Sequence, residues 1–150
     1  MVDMSGEYRI AASRERVWEA LNDPELLGQC LPGCESVERI GDDSFTGRAV
    51  IAIGPVKAKF SGKITLSDLD PPNSYRLTGE GAGGAAGFGK GGASVTLAED
   101  GADGTILTYV AEAQVGGKLA QLGARLIQSS AKKIADGFFA SFAAKVSQPG

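Results

Sequence analysis

Glycines and one lysine come closest to a recognisable chemical motif in this chain. Residues 84–90 read GAAGFGK, which has the spacing of a phosphate-binding loop up to Lys90. Gly91 then stands where such loops carry the Ser or Thr that holds magnesium, and the following GASVTL is typical of a strand. Without a helix N-terminus there is little to hold a phosphate. Two GxGxxG matches, from Gly79 and from Gly87, fail for the same reason, so the sequence predicts no nucleotide site.

The two cysteines are a second candidate for chemistry. Cys30 and Cys34 are four residues apart, and the chain contains no histidine. Two thiolates without imidazole would need further carboxylate or partner ligands to complete a metal site. The favoured interpretation is two small apolar residues that frame a Leu31-Pro32-Gly33 turn, with a reversible disulfide as the alternative. We therefore predict neither a metal nor a cofactor.

The absence of histidine also limits catalysis. It removes the usual base near neutral pH and every Ser-His or Cys-His pair. Four central-strand residues remain as candidates, Tyr75, Tyr109, Glu80 and Glu112. Strand alternation directs both glutamates outward and both tyrosines inward, where a tyrosine hydroxyl can hydrogen-bond a ligand carbonyl or be satisfied by backbone. The pattern favours a protein that is not an enzyme and leaves a proton-shuttling cyclase as the alternative.

Charge is distributed unevenly along the chain. The net charge is -3, which gives no reason to expect a nucleic-acid partner. From Lys118 onward, however, five basic residues accompany one acid, so this tail carries +4 and the remainder -7. Arg125, Lys132 and Lys133 are spaced to lie near one outward helix face. A solvated helix face is the favoured interpretation, and the hypothesis to be tested is that these residues form a surface for an acidic partner or anionic lipid.

Localisation is predicted from what the sequence lacks. No apolar run reaches the eighteen or more residues of a membrane span, and the N-terminus has no basic region followed by an apolar one. With only two cysteines, reduced thiols in a cytoplasmic protein are the simplest interpretation. The length fits one domain, residues 1–150.

The candidate residues named above are positioned by a predicted sheet. Two short helices interrupt this sheet after its first strand. Ser13 is a predicted N-cap for a helix that stops at Asn22-Asp23, and Pro24 suits the first position of a second helix. The pattern predicts a first strand at Glu7–Ala11 and a closing helix from Lys118 to Ser147. Between them we predict six strands, at Glu35–Ile40, Phe45–Ile53, Val56–Leu69, Ser74–Gly81, Gly91–Ala98 and Thr105–Val115. Short connections imply an antiparallel meander.

The predicted closing helix is long enough to cover this sheet. Leucine, isoleucine and phenylalanine recur at three and four residues between Leu119 and Val146, which indicates one apolar stripe. Thirty residues would span about 45 Å at 1.5 Å per residue. Gly123 and Gly137 would then lie in a helix interior, where each costs about 1 kcal/mol and indicates close packing. By default, the phenylalanine cluster from Phe138 is part of the core.

Small residues occupy the inward positions of the predicted sheet. Alternation places the following inward: Ala58, Gly62, Gly79, Gly81, Gly91, Ala93, Ala111 and Ala113. Interiors are packed near crystal density, so a row of minimal side chains under a helix must collapse or be filled. We predict an apolar ligand cavity, with bends and bulges at the glycines as the alternative.

The sequence as a whole resembles the CoxG family of carbon monoxide dehydrogenase subunits, within the helix-grip superfamily of START domains and birch-pollen-allergen-like (SRPBCC) proteins. The matching segments are RVWEALNDPELLGQCLPGCESVE, GRAVIAIGPVKAKFSGKITL, GEGAGGAAGFGKGGASVTL and VGGKLAQLGARLI. The resemblance implies an α+β fold, a curved antiparallel sheet of about seven strands (β-α-α-β6-α) around the long helix.

The resemblance also implies a function. Members of this family accompany molybdenum-containing carbon monoxide dehydrogenases or related hydroxylases, bind a hydrophobic molecule such as a quinone or lipid, and associate the partner with the membrane. The expected role is therefore a non-enzymatic accessory protein in the cytoplasm, with peripheral contact at the inner face of the cell membrane. A polyketide cyclase-like enzyme and a ligand-free assembly chaperone are the alternatives.

Combining the pattern and the resemblance gives a predicted cavity wall. Its residues are Leu27, Leu31, Ala58, Phe60, Gly79, Gly81, Tyr109, Ala111, Leu122, Leu126 and Phe138. The segment 27–33 is the predicted entrance, beside the hairpin at Gly54-Pro55, because Gly28 and Gly33 loosen its backbone. The glycine-rich hairpin at Gly83–Gly92 is the alternative entrance.

Overall fold

A computed structural model describes residues 2–31, 33–101 and 103–147. Two short helices follow the first strand, and a long helix closes the chain. The strands are β1 (Val2–Ile10), β2 (Cys34–Gly41), β3 (Ser44–Ile53), β4 (Val56–Asp70), β5 (Ser74–Ala82), β6 (Phe88–Glu99) and β7 (Thr105–Gly116). The helices are α1 (Arg14–Leu21), α2 (Pro24–Cys30) and α3 (Ala124–Val146). Short 3-10 helices occupy Gly84–Ala86 and Gly117–Leu122.

The two short helices begin as their sequence predicts. The Ser13 hydroxyl accepts a hydrogen bond from the Arg16 N–H at 3.3 Å, and α1 follows. The Asp23 carboxylate accepts from the N–H groups of Glu25 and Leu26, with Pro24 at the first helical position. Both caps satisfy N–H groups that a helix start leaves unpaired.

All seven strands form one curved antiparallel sheet in the order β1-β7-β6-β5-β4-β3-β2. Every strand from β2 to β7 pairs with its neighbour in sequence, as the short connections predicted, and β1 pairs with β7. β1 is longer than the predicted Glu7–Ala11. It begins at Val2, because pairing runs without a break from Val2 opposite Ala113 to Ile10 opposite Thr105.

The long helix is shorter than predicted, because the region from Lys118 onward is not one continuous helix. Residues Gly117–Leu122 form a 3-10 turn, and Gly123 follows with φ 90° and ψ 150°. Only then does α3 run for 23 residues, about 35 Å. Gly123 is therefore the residue that breaks the helix, and not a close-packing position inside it as expected.

The packed core lies at one end of the molecule. Phe142 of α3, Val17 of α1 and the strand residues Ile10 and Leu107 have no exposed surface. Phe138 and Phe139 meet at 5.0 Å, and Phe138 stacks on Phe142 at 5.9 Å between ring centroids. The phenylalanine cluster is thus core packing, as expected.

Candidate functional site

On the concave face of the sheet, side chains become smaller from one row to the next, beginning at the packed core. Near the packed core, the registered residues Tyr75, Val95 and Tyr109 fill one row across β5, β6 and β7. The next inward row is Leu77, Ala93 and Ala111, and the row after it is Gly79, Gly91 and Ala113. The surface that faces α3 is therefore full at one end and almost bare at the other.

Four glycines in register form the barest part of this face. Gly47 lies opposite Gly62, Gly62 opposite Gly81, and Gly81 opposite Gly89, so the row crosses β3, β4, β5 and β6. A Cβ at Gly62 would lie 2.8 Å from the Glu80 carbonyl oxygen, so glycine is required there by close strand approach. A Cβ at Gly81 would meet nothing closer than 3.5 Å. Gly62 therefore serves close strand approach and Gly81 leaves empty space, while the strand register runs through both glycines without a bulge.

An apolar cavity of about 220 Å³ lies against three glycines of this row, Gly47, Gly62 and Gly81. Apolar side chains close it, including Phe45, Ile51 and Phe60 from the sheet and Leu31 after α2. Ile64 lies in the wall and is 43% exposed, so the cavity opens to solvent beside it. An apolar cavity of about 150 Å³ already accommodates benzene, so this one has room for one aromatic ring.

Three of the predicted wall residues, Leu31, Phe60 and Gly81, meet at this cavity. Gly79 lies one row away, between Ile64 and Gly91. Ala58 lies opposite Ile51, two residues before Phe60 in β4.

The other predicted wall residues lie elsewhere. Tyr109, Ala111 and Phe138 belong to the packed core or pack directly against it. Leu122 is in the 3-10 turn and Leu27 is in α2, where its carbonyl accepts the Leu31 N–H. Leu126 covers Gly54, where a Cβ would come within 2.7 Å of its Cδ2. The feature that marks the observed wall is the row of glycines that strand pairing brings into register. The alternation of residues within a single strand does not reveal this row.

The predicted entrance, the segment 27–33, is held against β3 by a backbone hydrogen bond at Gly33. Gly33 has φ 76°, its carbonyl accepts the Val50 N–H at 2.9 Å, and a Cβ there would clash with the Val50 carbonyl oxygen. Its glycine serves this close contact with β3, in contrast to the loosening expected from the sequence. Pro32 lies outside the described residues.

The two cysteines are free thiols in different surroundings. Cys30 is buried in the core cluster, whereas Cys34 lines the cavity and its thiol approaches the Ser36 carbonyl at 3.5 Å. Burial raises the pKa of both thiols. Within the described part of the chain, no three cysteine, aspartate or glutamate side chains cluster closely enough to hold a metal ion.

A polar cluster joins α3 to the edge strand β1. The Tyr8 hydroxyl donates to the Asp136 carboxylate at 2.5 Å, and the Lys132 ammonium lies 3.3 Å from the same oxygen. Nearby, the Gln128 amide donates to the Asp3 carbonyl at 2.6 Å. These three helix residues recur at four-residue spacing, so one polar row of α3 lies along β1.

Lys132 therefore does not share the outward face predicted for it with Arg125 and Lys133. Its ammonium lies over the aromatic rings of Tyr8 and Tyr109, at 5.5 and 5.8 Å from their centroids. Arg125 and Lys133 are exposed, as predicted.

Hydrogen bonding and charge shift three pKa values in this cluster. The hydrogen bond from Tyr8 and the Lys132 ammonium hold the pKa of Asp136 below its usual value. Burial, the bond to Asp136 and the nearby Tyr109 hydroxyl raise the pKa of Tyr8. Burial alone would lower the pKa of Lys132, but Asp136 and Tyr109 together raise it. At neutral pH the cluster holds a carboxylate, an ammonium and a neutral tyrosine.

The outer face of the sheet is charged, as alternation predicted. Glu112 pairs there with Arg76, and the Arg76 guanidinium also donates to the Ser94 hydroxyl at 3.1 Å. Glu80 lies between Lys63 and Lys90 in a registered row on the same face. Both glutamates thus lie outward, whereas both tyrosines are buried.

Solved structures of similar shape define the class. A START superfamily protein from Mycobacterium smegmatis has a TM-score of 0.73 at 14% identity, covering 96% of each chain. An aromatase/cyclase from a Streptomyces species has a TM-score of 0.65 at 14% identity, covering 96% of this chain and 92% of that one. At such identities the likeness shows the fold alone, and it confirms the predicted START-like helix grip.

Two further comparisons identify the family. The CoxG family of carbon monoxide dehydrogenase subunits matches residues 6–147, so this chain belongs to it. A conserved protein from Geobacillus kaustophilus is 34% identical, with a TM-score of 0.90 over 97% of this chain and 95% of that one. None of the curated proteins matches. Among the described residues, no helix is long and apolar enough to cross a membrane.

Proposed function

We propose that this protein is a carrier for a hydrophobic molecule and acts as an accessory to a molybdenum-containing carbon monoxide dehydrogenase or related hydroxylase. Membership of the CoxG family supports the accessory role, and the START-like fold supports small-molecule binding. The observation that carries the proposal is the apolar cavity against three registered glycines, Gly47, Gly62 and Gly81. Its wall offers apolar contacts to a ligand. The glycines in the wall have no side chains, and this leaves space that a ligand would occupy.

The size of the cavity restricts how a ligand is held. Drug-sized ligands occupy pockets of about 300–1,000 Å³, and the cavity here is about 220 Å³. A quinone or lipid therefore places one ring or a short apolar segment inside, and a long isoprenoid tail leaves past Ile64 along the small-residue rows. Such a carrier moves its ligand between the membrane and the partner enzyme, at the inner face of the cell membrane.

We propose a role without catalysis for this chain. It has no histidine, and Glu80 and Glu112 extend from the outer face of the sheet. The likeness to an aromatase/cyclase concerns the fold and transfers no chemistry. Native mass spectrometry of the purified protein separates a carrier, which retains a ligand mass, from a ligand-free assembly chaperone.

The main test fills the cavity from a position that tolerates a side chain. A valine at Gly81 points at the cavity, and its Cβ has ordinary contacts. We expect Gly81→Val to weaken binding of 2-methyl-1,4-naphthoquinone about tenfold or more, a free-energy change of about 1.4 kcal/mol. The matched control is Thr78→Val, which adds a valine to the opposite face of the same strand. Equal affinity of both variants and the parent, with unchanged circular dichroism, would place the ligand outside this cavity.

A second test concerns the partner or membrane surface. Arg125→Glu together with Lys133→Glu reverses two exposed charges of α3. The variant keeps Lys132, whose ammonium lies over the rings of Tyr8 and Tyr109. If this face binds anionic lipid, the double variant should lose salt-sensitive flotation with vesicles of phosphatidylglycerol and phosphatidylethanolamine. Flotation of the variant equal to that of the parent across a salt titration would show that the face is only solvated.

A further inference from the structure

The two ends of the sheet carry opposite charges. At one end, the chain connects its strands through residues 42–43, 68–73 and 99–104, which contain no basic residue. Their acidic residues are Asp42, Asp43, Asp68, Asp70, Glu99, Asp100 and Asp103. At the other end, the three segments 54–57, 83–90 and 117–125 contain no acidic residue. Their basic residues are exposed, namely Lys57, Lys90, Lys118 and Arg125. Because an antiparallel meander brings alternate connections to the same edge, these charges are separated along the strands.

Close contacts join the three basic segments, which we call the basic end. The Leu126 side chain covers the first segment at Gly54, where a Cβ would come within 2.7 Å of its Cδ2. The second and third segments meet through bare backbone, since a Cβ at Gly117 would lie 2.7 Å from the Gly87 Cα. The basic end is therefore one surface and not three separate loops.

An exposed aromatic ring lies on the basic end. Phe88 is 51% exposed, and its ring lies over Gly116, where a Cβ would clash with it. Pro55 and Ala85 are also exposed there. A single exposed apolar side chain is ordinary on a protein surface. An exposed aromatic ring among cations, in segments without acids, is instead typical of surfaces that bind the headgroup region of anionic bilayers.

Two acidic residues lie on strands beside the basic end, and each is matched by a lysine. The Glu35 carboxylate lies 3.2 Å from the Lys59 ammonium. Glu80 lies between Lys63 and Lys90 in a registered row. These two acids therefore do not cancel the four charges of the basic end.

The basic end adjoins the cavity. A Cβ at Gly83 would lie 2.5 Å from the Phe60 ring, and Phe60 is in the cavity wall. Gly81, two residues before Gly83, is in the same wall. The segment 83–90 is thus in contact with the wall, and a bilayer at the basic end would lie next to the proposed ligand site.

We propose that the basic end docks on the surface of an anionic lipid bilayer, with the Phe88 ring at the boundary between headgroups and acyl chains. The acidic end then points away from the bilayer, because like charges repel. The inference deepens the proposed carrier function and rests on it, since a carrier of hydrophobic molecules exchanges them with a bilayer. It names the end of the sheet, and not the side of α3, as the lipid-binding surface.

The charge test compares two positions of α3. Arg125 and Lys133 are both exposed, and eight helical residues separate them by about 12 Å, more than the Debye length of about 8 Å at physiological salt. Arg125→Glu should lower partitioning onto vesicles of phosphatidylglycerol and phosphatidylethanolamine about thirtyfold. Lys133→Glu is the matched control, and it should lower partitioning by less than about threefold. Equal losses would place the lipid along the side of α3 and overturn the inference.

The aromatic ring is tested by truncation. Phe88→Ala should lower partitioning about tenfold at every salt concentration, because salt does not screen an apolar contact. The control is Val110→Ala, since Val110 is 58% exposed and lies six residues, about 20 Å, before Gly116 in β7. Circular dichroism checks that both variants fold. Partitioning of Phe88→Ala equal to that of the parent would show that the ring does not enter the bilayer and would overturn the inference.

A fluorescence readout is independent of the change in affinity. The chain has one tryptophan, Trp18, which packs edge-on against the buried Tyr75 at 5.4 Å. In Phe88→Trp, anionic vesicles that contain brominated lipid should quench the added indole. In the parent, the same vesicles should leave Trp18 fluorescence unchanged. Absence of quenching in the variant, or equal quenching in both proteins, would contradict the proposed orientation.

Failure of the docking surface and failure of the carrier function look different. Titration calorimetry without vesicles measures binding of 2-methyl-1,4-naphthoquinone. If the parent binds the quinone but does not float with anionic vesicles, or floats equally with phosphatidylcholine vesicles, the carrier function stands and the inference is wrong. If the parent floats with anionic vesicles but binds no quinone and retains no ligand mass after purification, the carrier function is wrong and the basic end is a lipid-binding surface only.

Discussion

At the residue scale, Gly6 shows how a missing side chain creates a contact. The Tyr109 ring and the Lys132 ammonium occupy the space that a Cβ would need. Gly6→Ala should therefore destabilise the protein by about 1–3 kcal/mol, the usual cost of overpacking. Urea unfolding followed by circular dichroism measures this change.

The control for Gly6→Ala is Gly89→Ala. A Cβ at Gly89 would meet its nearest neighbour, Val115, at 3.7 Å, which is an ordinary contact. We expect this variant to be as stable as the parent or slightly more stable, because alanine restricts the unfolded chain. If the two variants lose equal stability, the close contact above Gly6 is not what sets the cost.

The Asp136 carboxylate gives a second prediction at this scale, on pH. Its pKa is lowered by the Tyr8 hydrogen bond and by Lys132, so the folded state holds the ionised form more strongly than the unfolded chain. This contribution is present above the unfolded pKa of about 4 and is lost as pH falls through the lower folded value. Asp136→Asn should therefore be less stable than the parent near pH 6, and the difference should shrink below about pH 4. Tm against pH for both proteins measures it, and a gap that stays constant down to about pH 2 would contradict it.

Sequence reasoning predicted the strand residues better than the helix residues at this scale. Alternation placed Tyr75 and Tyr109 inward and Glu80 and Glu112 outward, because neighbouring strand side chains point to opposite faces. It missed the position of Lys132. Helical spacing fixes an angle around α3 but not which strand faces it, so the contact of Lys132 with Tyr8 was not predicted even though Tyr8 lies in the predicted first strand.

At the element scale, the break before α3 depends on one glycine. Gly123 has φ 90° and ψ 150°, a backbone region that is essentially restricted to glycine. A Cβ there would meet nothing within 4 Å, so crowding is not the obstacle. Gly123→Ala should cost about 1–3 kcal/mol through backbone strain alone. The free energy of urea unfolding measures it.

The opposite result at Gly123 would be informative. Alanine has a high helix propensity, so a continuous helix through Leu122 would make Gly123→Ala stabilising by about 1 kcal/mol. A gain in stability together with more helical circular dichroism would therefore contradict the break described here. The apolar repeat from Leu119 alone could not distinguish these cases, because a 3-10 turn with buried Leu119 preserves much of the same spacing.

Elements with strong local signals were predicted closely. The caps Ser13 and Asp23 and the strand boundaries at Val56 and Ser74 agree with the structure within a residue or two. β6 begins at Phe88 rather than Gly91, because its glycines pair with β5 and β7 even though they have little strand propensity. Tertiary pairing decided this boundary.

At the scale of the whole molecule, the concave face has a packed end and an end with an apolar cavity. Large side chains at the end with α1 and the C-terminal part of α3 form the core, and the glycine row at the other end leaves the cavity. The sequence indicated a cavity through its small inward residues. It did not locate the wall, since register across four strands depends on long-range pairing. Stability is therefore concentrated at one end, and the cavity end is where we expect motion.

Hydrogen exchange tests where the ligand enters. Among the described residues between α2 and β2, the Cys34 N–H donates to the Leu31 carbonyl, and the Gly33 carbonyl accepts the Val50 N–H. Leu31 and Cys34 also line the cavity, so a bound ligand should hold this segment closed. We expect fast amide exchange at residues 26–34 in the ligand-free protein, and slower exchange with 2-methyl-1,4-naphthoquinone present.

The control for the exchange experiment is Gly81→Val, in which a filled cavity should abolish the ligand-dependent protection. A thiol-reactive maleimide gives a second readout, because Cys34 lies in the wall while Cys30 is buried. The ligand should slow labelling of Cys34 in a Cys30→Ser background. Unchanged exchange at residues 26–34, with new protection at Gly83–Gly92, would instead place the entrance at the glycine-rich hairpin, where the Gly83 N–H donates to the Gly87 carbonyl at 2.8 Å.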